Sequence, residues 1–100
     1  MNQKKQEITE EKLEKYFKIT GNAIQMIKER GMDLQRIKEA EDFFDMATRY
    51  YSDAKYFKKN NDYVLAFAAL NYAHGWLDAG ARIKLFKVND STLFTVDDEE

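Results

Sequence analysis

The only histidine of this chain, His74, falls on a helical stripe with an amide, a carboxylate and a guanidinium: Asn71, Asp78 and Arg82. At the helical pitch of 100° per residue these four side chains share an arc of roughly 80°. An imidazole with a carboxylate four residues on can be oriented, poised for proton transfer and used to relay a proton or hold a small ligand. The plainer reading gives the same residues to structure. Asp78 and Arg82 then form an i, i+4 ion pair worth a few tenths of a kcal/mol, and His74 is hydrogen-bonded beside them. A metal site is not expected, because helical carboxylate sites place Glu three residues before His and that position is Asn71. No cofactor is expected either.

Further along the chain, Glu39, Glu41, Asp42 and Asp45 gather near the start of one helical segment. Helix-start electrostatics accounts for part of this. Antiparallel packing would bring Glu41 or Asp45 level with Arg82, so one of them is expected to neutralise it. Tyr50, Tyr51, Tyr56, Phe57, Tyr63, Tyr72 and Trp76 concentrate aromatic surface around the next turn and are read as core. Base stacking would need a cationic groove, and Lys55, Lys58 and Lys59 are too few to make one. Lys4, Lys5, Lys12, Lys15 and Lys18 alternate with acids, as a solvated face does.

The elements that position these residues follow from composition and period. The chain has 100 residues, 44% of them apolar, with no proline and four glycines, which favours long helices joined by short turns. Thr9 is placed to cap a first helix, with Glu10 and Glu11 in its first turn and Ile8 stapled onto Leu13; Gly31 in a left-handed conformation would end it. Asp33 would cap a second, where Leu34, Ile37, Ala40, Phe44, Ala47, Tyr51 and Ala54 recur at helical spacing. Asn60 and Asn61 provide the turn, and Asp62 would cap a third helix whose Ala66, Ala69, Ala73 and Gly80 allow close approach while Leu70, Trp76, Leu77 and Ile83 fill its flanks. The expectation is an all-α, antiparallel, up-down-up three-helix bundle forming one domain. Its helices run over about 10–30, 34–59 and 63–87, and its tail is 88–100.

In the tail, Leu93, Phe94 and Val96 precede an acidic run, Asp97 to Glu100. These apolar residues either dock on the bundle or serve with the acidic flank as a partner-binding segment. Eighteen acids against 16 bases leave a net charge of −2, which argues against nucleic acid and anionic membranes as partners. Absence of cysteine excludes thiol chemistry, and with no apolar leader or membrane span in the sequence the cytoplasm is the expected compartment.

The run YYSDAKYF from Tyr50, the pair Asp62-Tyr63, and AFAALNYAHGWLDAG from Ala66 to Gly80 resemble the small archaeal family named domain of unknown function three-five-seven. GWLDAG, Gly75 to Gly80, is the most specific part. The resemblance covers nearly the whole chain and implies a three-helix bundle without implying an activity. A weaker similarity links the chain to nuclease-related helical bundles of prokaryotic toxin systems. Their Arg, separated from the following His by four to six intervening residues, is replaced at Phe67, Ala68 and Ala69. The reading of function is therefore a protein-interaction or self-association module. It would use Asn71, His74, Asp78 and Arg82 or the Leu93-Phe94 segment, and the alternative is an enzyme or small-ligand binder centred on His74, Asp78 and Arg82.

Overall fold

The computed structural model describes residues 7–96. Lys4 and Lys5, and the acidic run from Asp97 to Glu100, lie outside the described residues. Three α-helices make up the fold: α1 (Glu10–Arg30), α2 (Ile37–Lys59) and α3 (Tyr63–Arg82). Tyr16 meets Phe67 and Thr20 meets His74, so α1 and α3 run parallel; Phe43 meets Trp76 and Tyr50 meets Tyr72, so α2 runs against α3. The bundle is up-down-up and all-α, as the periodicity predicts.

Local chemistry explains the helix ends. The Thr9 hydroxyl accepts from the Lys12 N–H at 3.1 Å, and the Asp62 carboxylate accepts from the Leu65 N–H at 3.1 Å, each satisfying a donor that the first helical turn leaves open. Asn61 supplies the positive φ, 62°, of the turn between α2 and α3.

Three ends differ from expectation. Gly31 stops α1 at φ 96° and ψ −175°, an extended glycine conformation and not the left-handed helical one. The reason is tertiary. Gly31 offers its carbonyl to the Lys87 N–H at 3.0 Å, the Asp33 N–H donates to the Leu85 carbonyl at 2.8 Å, and Met32 bridges antiparallel to Phe86. Asp33 caps a 3-10 turn, Leu34–Arg36, ahead of α2, and Leu34 is 75% exposed where the period placed it in the core.

The third helix stops at Arg82, short of the expected residue 87. A double hydrogen-bonded cap closes it: Lys84 N–H to Ala81 carbonyl at 3.0 Å and Leu85 N–H to Gly80 carbonyl at 2.8 Å, with Lys84 at φ 66°. This reversal leaves Ile83 half exposed and returns Leu85 and Phe86 to the core. Phe86 lays its ring over Gly80.

The core has two lobes. Leu13, Ala54, Ala66, Ala69 and Leu70 fill one, while Ile24, Ile27, Ala40, Ala47, Leu77, Leu85, Phe86 and Phe94 fill the other. Alanines dominate the α2–α3 seam because they let two backbones approach closely. Trp76 is only partly buried, edge-on to Phe43 with ring centroids 5.0 Å apart, and Tyr72 and Tyr56 are more than half exposed. The aromatic concentration is thus in part a surface feature, contrary to the reading as core.

Candidate functional site: a histidine clamp and an open helix face

His74 sits midway along α3, facing α1. Its Nδ1 lies 3.0 Å from the Thr20 hydroxyl of α1, and its Nε2 lies 2.7 Å from the Leu93 carbonyl of the C-terminal segment. A carbonyl only accepts, so Nε2 carries the proton and donates; in the neutral ring Nδ1 then accepts from the Thr20 hydroxyl. Thr20 is 2% exposed, a buried hydroxyl with its partner provided. Asp78, one turn on, accepts the Thr95 N–H at 2.9 Å, and its carboxylate is 3.7 Å from His74 Nε2.

The tail is held in place by this pair. Phe94 is 3% exposed and stacks near-parallel to the His74 ring at 6.5 Å between centroids, with Leu93 and Val96 packed against the same core lobe. An Asp90 turn aims the segment: the Thr92 N–H donates to the Asp90 carboxylate at 2.9 Å, and the Leu93 and Phe94 N–H groups donate to the Asp90 carbonyl. Hydrogen bonds from Thr92 hold the Asp90 carboxyl below the ordinary carboxylate range.

Of the residues singled out from sequence, His74, Asp78, Leu93 and Phe94 therefore come together, and they meet one another. Asn71 and Arg82 lie on the exposed rim of α3. Asp45 pairs within its own helix, 2.8 Å from Arg49 Nε. Chemically the arrangement is a clamp. With both ring nitrogens engaged, His74 can exchange a proton with a bound molecule only by releasing Thr20 or Leu93. Beside it a half-open cleft of about 230 Å³ is lined by Tyr16, Ile19, Thr20, Asn71, His74, Gly75 and Asp78. Among the described residues no group of three or more His, Asp or Glu side chains is placed to share a metal ion.

Sequence reasoning missed Arg36. Its Nε holds Asp33 at 2.7 Å and its Nη2 donates to the carbonyls of Ile83, 2.9 Å, and Lys84, 3.1 Å, just beyond the C-terminus of α3. The guanidinium drives the Asp33 carboxyl below its usual range, aided by the Gln35 N–H. The i, i+3 pairing of Asp33 with Arg36 was legible in the sequence. Its reach to residues 83 and 84 was not.

The adjoining outer side of α3 is different. Leu65, Ala68, Tyr72, Gly75, Ala79 and Ile83 are all exposed. From Leu65 to Ala79 they recur at alternating steps of three and four, the spacing of a coiled-coil seam, and a further step of four adds Ile83 to the same face. Tyr72 is 57% exposed, Ile83 49% and Leu65 46%. Beside this row a second cleft, about 310 Å³, is lined by Phe43, Tyr72, Gly75, Trp76 and Ala79. Among the described residues no helix is long and apolar enough to cross a membrane.

Comparison with curated proteins and with solved structures gave no match. The sequence model of the family described as protein of unknown function (DUF357) matches residues 15–86. That match takes in most of α1, all of α2 and α3, and the return through Phe86, and the chain belongs to this family.

Proposed function

We propose that the chain is a non-enzymatic protein-interaction module that docks a partner, or its own copy, on the outer face of α3. One observation carries the reading: a helix in a water-facing position presents a coiled-coil-spaced apolar row where α1 and α2 present charged residues. The polar residues first suspected of recognition support it indirectly, since His74 and Asp78 are occupied in holding the tail. The net charge of −2 supplies no attraction to a phosphate backbone, and the cysteine-free chain suits the cytoplasm.

Affinity capture from native extract with wild type and with Ala79→Glu tests this. Ala79 is exposed, so the substitution leaves the fold intact by circular dichroism while placing a charge in the seam. The expected result is loss of the proteins captured by wild type. Equal capture by both would reject the α3 face. The cleft beside His74 keeps a small-ligand reading in view, and that reading gains if a metabolite mixture stabilises wild type but not Asn71→Ala against heat.

A further inference from the structure

Three glycines lie inside helices, and two have a reason within the chain. A Cβ at Gly21 would stand 2.8 Å from the Tyr51 hydroxyl, and one at Gly80 would enter the Phe86 ring. Gly75 has no such neighbour: nothing lies within 4 Å of where its Cβ would be. A mid-helix glycine is about 1 kcal/mol less favourable than alanine. Gly75 therefore leaves a gap that no side chain among the described residues fills, and the gap opens into the cleft beside Tyr72 and Trp76.

The seam on which Gly75 sits reads nearly the same in both directions. From one end it runs Leu65, Ala68, Tyr72; from the other, Ile83, Ala79, Gly75. Turned antiparallel about a two-fold axis, Leu65 of one copy faces Ile83 of the other, Ala68 faces Ala79, and Tyr72 faces Gly75. Large meets large at the ends, small meets small between them, and at the centre a ring meets a gap. A parallel pairing sets Tyr72 against Tyr72 and Gly75 against Gly75, a clash followed by a void. The antiparallel arrangement also opposes the two helix dipoles favourably.

We infer that the occupant of this face is a second copy of the chain, joined by antiparallel α3–α3 packing in which each Tyr72 enters the hole over Gly75 of the other. This rests on the interaction reading above and names its partner. Every contact is made twice, as a two-fold interface requires. The helical row from Leu65 to Ile83 is ~27 Å long. With the adjoining flank of α2 the layer is ~20 Å wide, given helix spacings of 8–10 Å. The paired footprint, roughly 1,100 Å² over both copies, just clears the ~1,000 Å² a specific interface needs. The dimer is accordingly at the weak end and dissociates on dilution. The C-terminal segment does not obstruct it, because that segment lies over His74 and Asp78 on the side of α3 that faces α1.

Sedimentation equilibrium of the full chain from about 1 µM to about 1 mM is expected to show a monomer–dimer transition. Ala79→Glu is expected to remain monomeric while fully helical, and Gly75→Ala to weaken dimerisation about tenfold by filling the hole, the equivalent of about 1.4 kcal/mol. Because the chain has no cysteine, register can be read by cross-linking. A mixture of Ala68→Cys and Ala79→Cys is expected to form a disulfide dimer. Neither variant does so alone, since equal positions stand ~16 Å apart along the axis, beyond disulfide reach. A wild type monomeric at about 1 mM, or cross-linking of Ala68→Cys by itself, overturns the proposal. Monomeric wild type with partner capture abolished by Ala79→Glu overturns the dimer and leaves the interaction reading standing; monomeric wild type with capture unchanged removes both.

Discussion

The Phe86 ring packs against the bare backbone of Gly80, in space that a Cβ on residue 80 would occupy. The contact joins the last turn of α3 to the segment that folds back after it, and Phe86 is 2% exposed. Gly80→Ala is expected to destabilise the fold by about 1–3 kcal/mol, the usual penalty for forcing extra carbon into a packed core. Gly75→Ala, on the same helix but facing open space, is expected to act oppositely and stabilise the monomer by about 0.5–1 kcal/mol through helix propensity. Denaturant melts of both at low protein concentration check the pair of signs.

Phe94 is a core residue although it follows the last helix by a dozen positions. Phe94→Ala is expected to destabilise the fold by about 3–5 kcal/mol, as removal of a buried phenylalanine does. Truncation before Leu93 should act similarly and also expose His74. An equilibrium urea melt showing less than about 1 kcal/mol of loss would mean that the segment contributes little to stability.

Thr20→Val keeps the shape of the side chain but leaves His74 Nδ1 without its hydroxyl partner. The expected loss is about 1–3 kcal/mol, the range for a buried polar group left unpaired. A nitrogen-15 spectrum of the ring reads the tautomer directly. The proton should be on Nε2 in the neutral form, held by the Leu93 carbonyl.

Arg36→Gln removes the charge that holds Asp33 and serves the carbonyls of Ile83 and Lys84. Because the Arg36 side chain is 42% exposed, solvent screens the pair, and the expected loss is near 1 kcal/mol. Faster amide exchange at Leu85 and Lys87 should accompany it, since these N–H groups lie on the segment Arg36 secures.

Acid should loosen the same two places. The carboxyls of Asp33 and Asp90 are both held below their ordinary value, by Arg36 and by Thr92 respectively. A depressed native value means that the unfolded chain binds the proton more readily. The stabilisation is therefore complete above the ordinary aspartate value of about 3.9 and is lost as pH falls below it. Amide exchange and the Phe94 ring signals, followed from pH 6 to 2, are expected to show release of the tail within that acid window. Loosening centred near neutrality would assign it to other groups.

Much of the architecture was legible in the sequence because its causes are local. Thr9 and Asp62 cap helices through hydrogen bonds three residues long, Asn61 takes a positive φ that few other residues accept, and the helical period places Leu13, Ala40, Ala47, Ala54 and Leu77 inside. The polar stripe was equally visible, since helical pitch alone puts Asn71, His74, Asp78 and Arg82 side by side. What those side chains touch was decided by contacts between distant parts of the chain. The end of α3 depends on Phe86 reaching Gly80 and on strand-like pairing between the segments around Met32 and Phe86. The role of His74 depends on Thr20, 54 residues earlier, and on the carbonyl of Leu93, 19 residues later. A period reports which face of a helix is apolar, and α3 is apolar on nearly every side; only the packing of α1, α2 and the tail determines which of those faces is left exposed.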